Sequence, residues 1–358
     1  MKVFTCGPVA MFPAVQKVRE QDVLYFRSQE YGLFASNILS RLSVFLGNYE
    51  DLSMIPIACS GTGAMESAIE NCVFTNDRIL VINGGGFGQR WCDLLKFHHV
   101  NFECINLKWD EELTEEVLEP YVDRGFTMLF VNLDETTSGK LYSSELLHKF
   151  CKASGMMLVV DAISSFLVDD FEMEKSGMDL VLFSTQKGLC CSPGCSFISV
   201  SQRMKQKILS GGCHPSTYYF NYRDYFKNLT RGQTPFTPTV MIMYEVDQML
   251  KLIEQCGGKK EWIKAIGKKA DAFRKEASAR GYNIPTYSKS NMLTPLQFSN
   301  FSAYDFTLLL RKRGYCVTPC GGELSEILLR VGHCGNTTEK DGIALLDAMD
   351  EVRSEVTR

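Results

Sequence analysis

Two charged residues, Asp161 and Lys187, follow apolar runs that are typical of buried strands, Met156–Val160 and Asp179–Ser184. An acid and a lysine behind neighbouring strands would face each other at one edge of a sheet. Partial burial would lower the pKa of the lysine and free its amine to act as a nucleophile. A structural ion pair, or a helix cap at Asp161, is the alternative for two charges at strand ends.

The segment Ser60–Gly63 places two hydroxyls and two glycines between an apolar run and a helical pattern. Glycines that open a helix leave backbone N–H groups pointing at an anion, so the segment predicts a phosphate site. A tight turn in which a hydroxyl caps the helix is the alternative. The glycines of Gly84–Gly88 lack the G-x-G-x-x-G spacing and the later acid of a dinucleotide site, which argues against a Rossmann dehydrogenase.

A sheet is needed to bring these residues together. Six apolar runs alternate with helix-period segments, which indicates an α/β domain with a mostly parallel sheet and right-handed crossovers. Ligands bind beyond the carboxyl ends of such strands, where we expect the polar residues to converge. The runs are Met54–Cys59, Arg78–Asn83, Asn101–Leu107, Thr127–Asn132, Met156–Val160 and Asp179–Ser184.

The pattern changes after Ser201, where residues 210–238 are predicted to be irregular. Beyond them we expect a smaller α+β unit with its own core. We therefore predict a large α/β domain over residues 1–256 and a small C-terminal domain over residues 257–358, joined at Gly257-Gly258. The elements predicted in this part are helices Thr239–Gln255, Glu261–Arg280 and Ala303–Arg313, strands Thr294–Asn300, Tyr315–Thr318 and Glu326–Gly332, and a last helix from Thr338.

The composition is that of a globular chain. Of 358 residues, 45% are hydrophobic and 22% charged, with a net charge of −4. These values argue against a disordered chain, a nucleic-acid-binding protein and a protein of anionic membrane surfaces. No apolar run approaches the roughly 18 residues that span a bilayer.

The fourteen cysteines are scattered and form no zinc-finger pair. Because the segment Met1–Pro8 has no export signal, we expect buried, reduced thiols in a cytoplasmic protein. A metal or disulfide cluster at Cys190, Cys191 and Cys195 is the alternative, although we expect no metal site.

Eight short motifs, in this order and spacing, resemble the class V aminotransferases of the pyridoxal-phosphate (PLP) fold type I superfamily, near the alanine–glyoxylate, serine–pyruvate and 2-aminoethylphosphonate transaminases. The resemblance implies an aspartate-aminotransferase-like α/β fold with a large, mostly parallel seven-stranded sheet and a smaller C-terminal α+β domain. The motifs are Gly7-Pro8 with Pro13, Arg27–Tyr31, Ser60–Glu66, Gly86–Trp91, Glu135–Gly139, Asp161–Ser165, Ser184–Gly188 and Leu329–His333.

The resemblance also implies a role for individual residues. Lys187 matches the lysine that forms a Schiff base with PLP and then moves the proton between Cα and C4′, and Asp161 matches the acid that keeps the ring nitrogen protonated. Arg330 matches the arginine that holds the substrate carboxylate. The remaining cofactor contacts would be Ser60, Gly61, Thr62 and Gly63 at the phosphate, Gln186 and a partner subunit's Thr237 near it, Phe87 and Ile163 on the two ring faces, and Thr136 at the ring hydroxyl.

The function implied is that of a cytoplasmic homodimeric transaminase with its active site at the subunit interface. By a ping-pong mechanism it would move an amino group from alanine, serine or 2-aminoethylphosphonate to pyruvate or glyoxylate. Its partners would be small amino acids and 2-oxo acids, without nucleic acid or membrane.

Two other functions fit the same fold. A cysteine desulfurase or lyase would use Cys316 or Cys320 as a sulfur acceptor, but Gln186 stands where such enzymes usually have a histidine, and core packing explains both thiols. A non-catalytic PLP-binding scaffold would have no need for Lys187, Asp161 and Arg330 together, since each is costly to bury. For Arg330, an ion pair with Glu323 or Glu326 is the structural alternative.

Overall fold

A computed structural model describes residues 1–47, 53–213 and 215–356 of the chain. The strands within these residues are β1 (Lys2–Val3), β2 (Met54–Ile57), β3 (Ile79–Asn83), β4 (Phe102–Asn106), β5 (Met128–Asn132), β6 (Asp134–Glu135), β7 (Lys140–Leu141), β8 (Met157–Asp161), β9 (Leu180–Ser184), β10 (Ser196–Val200), β11 (Leu293–Gln297), β12 (Tyr315–Cys316), β13 (Thr318–Pro319) and β14 (Leu328–Gly332). The helices are α1 (Pro13–Lys17), α2 (Gln29–Leu46), α3 (Gly61–Cys72), α4 (Gly86–Phe97), α5 (Glu115–Leu118), α6 (Ser144–Ser154), α7 (Gln202–Leu209), α8 (Tyr222–Leu229), α9 (Val240–Gln255), α10 (Lys259–Ala279), α11 (Ala303–Lys312) and α12 (Glu339–Val356).

The main sheet has seven strands in the order β2-β10-β9-β8-β5-β3-β4. Strands β4, β3, β5, β8 and β9 pair in parallel, whereas β10 runs antiparallel to both β9 and β2. The six predicted strands are all present, and the prediction of a large, mostly parallel seven-stranded sheet is confirmed.

Both faces of this sheet are covered, because alternate residues of each strand enter different hydrophobic clusters. In β5, Leu129 and Val131 pack in one cluster and Met128 and Phe130 in the other, all with no exposed surface. Such two-sided burial explains why the strands read as continuous apolar runs rather than as alternating patterns. A third cluster lies around β11, β14, α10, α11 and α12.

Two sequence predictions are wrong in part. Residues 210–238 are not wholly irregular, because α8 forms there: Asn221 caps its N-terminus, and Tyr222 and Tyr225 are almost fully buried. Tertiary packing of these two tyrosines outweighs the weak helical pattern. The strand predicted over Tyr315–Thr318 is divided, since β12 pairs with β1 while β13 pairs with β14.

The first residues of the chain run between the main sheet and the three-stranded sheet β11-β14-β13, and we call residues 1–12 the N-terminal arm. Gly332 N–H donates to Phe4 O (2.7 Å), and Val9 N–H donates to Gln186 O (3.1 Å). The arm thus contacts β14 and the loop after β9. Among the described residues, none of the helices combines the length and apolar character that crossing a membrane requires.

Candidate active site

The predicted phosphate segment forms the start of α3. Ser60 is the N-cap, and its hydroxyl accepts a hydrogen bond from Gly63 N–H (3.3 Å). Helix geometry leaves the N–H groups of Gly61 and Thr62 without intrahelical partners. A Cβ atom at Gly61 would lie 2.3 Å from Cδ1 of Ile163, and one at Gly63 would lie 2.9 Å from Cβ of Cys59. The segment therefore begins a helix with a hydroxyl cap, as the alternative prediction stated. It is also closely packed and leaves free backbone N–H donors, which suit an anion.

Phe87 lies in the first turn of α4, and Glu135 fixes this turn. The Glu135 carboxylate accepts hydrogen bonds from the N–H groups of Phe87 (3.2 Å), Gly88 (3.0 Å) and Thr137 (3.1 Å), and from Nδ2 of Asn132 (3.0 Å). Glu135 is completely buried and takes the capping role that Gly85, with no side chain, cannot fill. The sequence analysis gave Glu135 no role, although an acid just after a buried strand was a usable signal.

Asp161 is the last residue of β8 and is 4% exposed. Its Oδ1 accepts a hydrogen bond from Ile163 N–H (2.8 Å), which keeps the two residues together. Burial raises the pKa of Asp161 to about 7, opposed in part by this hydrogen bond and by the charge of Lys187. A cation placed against this carboxyl would favour its ionised form.

Lys187 follows β9 and points at the N-terminal arm, where its Nζ donates to Cys6 O (2.5 Å). A Cβ atom on Gly7 would lie 2.4 Å from the Lys187 side chain, so the arm can approach this closely only with glycine at that position. Burial lowers the pKa of Lys187, and interactions with Cys6, Asp134 and Asp161 oppose this shift. This confirms the expected desolvation of the amine.

Asp134 is a second acid of this region that sequence reasoning missed. It is 4% exposed, and within the described ranges of the chain neither carboxylate oxygen accepts a hydrogen bond. Burial raises its pKa well above the usual value, and nearby Asp169 adds to the rise, whereas Lys187 lowers it. An acid two residues after a buried strand was the available signal, as for Glu135.

Arg330 lies in β14 and reaches the segment after β6. Its Nη1 donates to Thr136 O and its Nη2 to Pro319 O, both at 2.7 Å, while the buried Nε has no partner in the part of the chain that the structure describes. No ion pair joins Arg330 to Glu323 or Glu326, all of which lie in the described part of the chain. The guanidinium keeps three of its five N–H donors for another acceptor.

The structure thus joins most of the predicted residues through short contacts. Gln186 is linked to the arm through its carbonyl, and Thr136 is linked to Arg330 through its own. Thr237 is different: it is exposed, and no contact within the described residues connects it to the others. The contacts within one chain therefore do not bring Thr237 to the other predicted site residues.

The comparisons with known proteins agree with this geometry. The model of the family "Aminotransferase class-V" matches residues 50–339. The chain is 26% identical to the small subunit of a soluble hydrogenase from Synechococcus sp., over 84% of this chain and 79% of that one. It is 22% identical to the 2-aminoethylphosphonate–pyruvate transaminase of Bacteroides fragilis, over 98% of each protein.

The crystal structure of an alanine–glyoxylate aminotransferase from Nostoc sp. superposes with a TM-score of 0.92 at 23% identity, over 98% of this chain and 94% of that one. At this identity the superposition shows the fold. The family model covers most of the chain. The chain belongs to the class V aminotransferases.

The family match and the neighbouring solved structures indicate a PLP-dependent transaminase of fold type I, so the predicted enzyme class, fold and cofactor are confirmed. The residues of this aminotransferase fit the cofactor: a closely packed glycine cradle with free N–H donors, a buried acid at Asp161 and a desolvated lysine at Lys187. The fourteen thiols are all free. Cys190, Cys191 and Cys195 are almost fully buried, as core residues would be.

The two cysteines considered as sulfur acceptors are parts of the aminotransferase framework. Cys316 pairs with Val3 in the strand pair of β12 and β1. Cys320 is 5% exposed, and its thiol donates to Thr137 O (2.8 Å). Burial raises the pKa of the Cys320 thiol to about 11, which disfavours the thiolate that a sulfur acceptor needs.

Proposed function

We propose that this enzyme transfers an amino group from a small amino donor, namely alanine, serine or 2-aminoethylphosphonate, to a small 2-oxo acid, pyruvate or glyoxylate. The observation that carries the proposal is the free edge of Arg330. Two of its nitrogens are anchored to backbone carbonyls, and the buried Nε has no partner among the described residues. After burial, the charge of Arg330 also contributes to the lowered pKa of Lys187. A planar guanidinium held in this way suits a carboxylate, which it would orient with Cα toward Lys187.

Lys187 is the proposed acid and base. When bound, PLP supplies an electron sink for the pair left on Cα after proton loss. Because burial lowers the pKa of Lys187, a larger fraction of its amine is neutral, and Nζ can accept the proton from Cα of the donor. The hydrogen bond to Cys6 O holds the amine on the side of the arm. Nζ of Lys187 would hold that proton beside the arm and give it up again within the site, so that one residue serves as both base and acid.

The other proposed contact residues would hold and orient the cofactor. Asp161 would face the ring nitrogen and keep its proton. Phe87, fixed by Glu135, and Ile163, fixed by Asp161, would pack against the two ring faces. Thr136 would serve the ring hydroxyl. The phosphate would be bound by Ser60, Gly61, Thr62 and Gly63, with Gln186 and the Thr237 of a second copy of the chain as further contacts.

The substrate classes draw support from the relatives. One is named for 2-aminoethylphosphonate and pyruvate and another for alanine and glyoxylate. Both acceptors are short 2-oxo acids with one carboxylate, which is what a single arginine with three spare donors can bind.

We further propose a homodimer in the cytoplasm, with a PLP-binding domain over residues 1–256 and a small domain over residues 257–358. Exposed Thr237 is next to Phe236, which packs against Tyr218, itself 82% exposed. A second copy covering this aromatic surface would bury it and use Thr237. The fourteen free thiols fit a reducing compartment. Light scattering on the purified protein tests the dimer.

A donor and acceptor screen tests the proposal. The purified protein is loaded with PLP and mixed with each amino donor alone, while the absorbance of the cofactor is followed. A true donor should convert the cofactor to its amine form, and pyruvate or glyoxylate should restore the original spectrum. If no small donor changes the spectrum, or if cysteine releases sulfide, the proposed reaction is wrong.

A further inference from the structure

Arg90 is a partly buried arginine on α4, one turn after Phe87 and close to the start of α3. Its Nη1 donates to Oγ1 of Thr62 (3.2 Å), and its guanidinium carbon lies 4.8 Å from the centre of the Phe87 ring. Arg90 therefore touches two residues proposed to hold the cofactor, one at the phosphate and one at the ring.

Arg90 forms no ion pair among the described residues, although its charge, with the Ile163 hydrogen bond and Lys187, opposes the rise that burial causes in the pKa of Asp161. Two other arginines have acceptors for their guanidinium groups. Arg41 forms ion pairs with Asp247 and Glu254, and Arg223 donates three hydrogen bonds to backbone carbonyls. Arg90 has neither kind of acceptor and uses one of its five N–H donors, on a neutral hydroxyl. A guanidinium withdrawn from water needs an anion to offset the lost hydration.

The acceptor of that single bond indicates where the anion belongs. Thr62 follows the cap of α3, where the N–H groups of Gly61 and Thr62 are free and the helix dipole favours negative charge. Around Thr62 the chain thus collects two backbone donors, hydroxyls and a guanidinium, which together suit a doubly charged phosphate.

We propose that Arg90 is a phosphate-binding residue of this enzyme, which pairs with the cofactor's phosphate dianion beside Thr62 and so selects the phosphorylated cofactor over unphosphorylated pyridoxal. The proposal rests on the proposed function, since it places PLP in this site. Stacking on Phe87 holds the guanidinium in place and leaves the opposite face of that ring for the cofactor.

The test measures binding to the apoprotein, independently of turnover. Pyridoxal phosphate and pyridoxal are titrated separately into wild type, Arg90→Gln, Arg90→Met and Arg90→Lys, and the two dissociation constants are compared. We expect the neutral variants to bind pyridoxal phosphate about 10- to 100-fold more weakly, as for loss of a charge-assisted pair, and pyridoxal within threefold of wild type. Arg90→Lys should retain most of the preference for the phosphate, and inorganic phosphate should compete with the cofactor more strongly in wild type and Arg90→Lys than in the two neutral variants.

Arg78→Gln is the matched control. Arg78 also stacks on an aromatic ring, with its guanidinium carbon 4.9 Å from the centre of Phe126, but it precedes β3, at the opposite end of that strand from Phe87. It should bind both ligands like wild type. Arg90→Met preserves the packing of the stem and replaces Arg90→Gln should the latter not fold.

The remaining outcomes are decisive. If the neutral variants bind pyridoxal phosphate and pyridoxal more weakly by the same factor, Arg90 acts only through the Phe87 ring. If the preference for pyridoxal phosphate over pyridoxal is unchanged, Arg90 does not contact the phosphate. Either result overturns the inference while the proposed function stands. Failure of the wild type itself to bind pyridoxal phosphate would instead remove the proposed function.

Discussion

The candidate site consists of two groups of residues that satisfy their polar atoms differently. In the sheet-edge group (Thr62, Phe87, Glu135 and Asp161), the two carboxylates accept hydrogen bonds from backbone N–H groups, and Glu135 accepts from four donor groups. In the arm group (Cys6, Asp134, Lys187 and Arg330), both Asp134 oxygens and the Arg330 Nε are buried without a hydrogen-bond partner among the residues that the structure describes.

This difference distinguishes residues that hold the cofactor from residues that take part in the reaction. Each unpaired buried polar atom costs about 1–3 kcal/mol, so the three such atoms of the arm group are candidates for contacts that a bound ligand would supply. We therefore expect substitutions in the arm group to reduce turnover, and substitutions in the sheet-edge group to reduce stability or cofactor affinity.

The largest expected effect is that of Lys187→Ala. Loss of the proton-transferring amine should reduce kcat by at least about 1,000-fold and abolish borohydride trapping of the cofactor. Lys259→Ala is the control, since burial lowers the pKa of Lys259 as well but its amine donates to Phe171 O, outside the site. Unchanged turnover in Lys187→Ala would remove this residue from the mechanism.

Arg330→Ala should come next, with a loss of about 2–4 kcal/mol in kcat/KM for donors and acceptors that carry a carboxylate. Arg330→Lys keeps the charge but loses the planar fork, so it should recover part of this loss. An amine without a carboxylate is the comparison substrate. If its reaction suffers as much, Arg330 supports the structure rather than the substrate.

Glu135→Gln should have a smaller effect, and mainly on stability. In wild type the backbone N–H donors face a carboxylate, whereas in the variant some of them would face the NH₂ group of the glutamine. The loss of these hydrogen bonds should lower the free energy of unfolding by about 1.5–3 kcal/mol. Chemical denaturation of the apoprotein measures this. Glu245→Gln is the matched control, because Glu245 is also buried and bonded to Ser192 and Arg19.

Both glutamate variants should lose stability, but only Glu135→Gln should also weaken cofactor binding, through Phe87. Equal cofactor affinity in the two variants would contradict the role given to Glu135.

The smallest effect concerns the pH dependence of stability at Asp161. Burial raises the pKa of Asp161 to about 7 in the folded chain. The contribution of Asp161 to the free energy of unfolding is therefore fully present at pH values below the pKa of the unfolded chain, and it is lost as the pH rises through 7. Between about pH 6 and 8, wild-type apoprotein should lose roughly 1 kcal/mol more stability than Asp161→Asn, from the 1.36 kcal/mol per pKa unit. Parallel pH profiles from denaturant titrations would show that Asp161 is not desolvated.

Much of the sheet-edge group could be predicted because its signals are local. The strand runs, the cap at Ser60 and the acid that ends β8 depend on neighbouring residues, and the structure has them within a few positions of where the sequence placed them. Helix α8 was missed because the burial of Tyr222 and Tyr225 by distant residues forms it.

The amino-acid sequence by itself determined which residue types stand at the strand ends, and hence the family and its chemistry, because strand periodicity and motif spacing are properties of the linear chain. Only the tertiary structure decided that Glu135 caps a helix 48 residues away, that the arm meets Lys187 across 181 residues, and that Arg330 is anchored but not neutralised. These contacts join segments far apart in the chain. Their geometry follows from how the sheets and the arm pack, which no local pattern encodes.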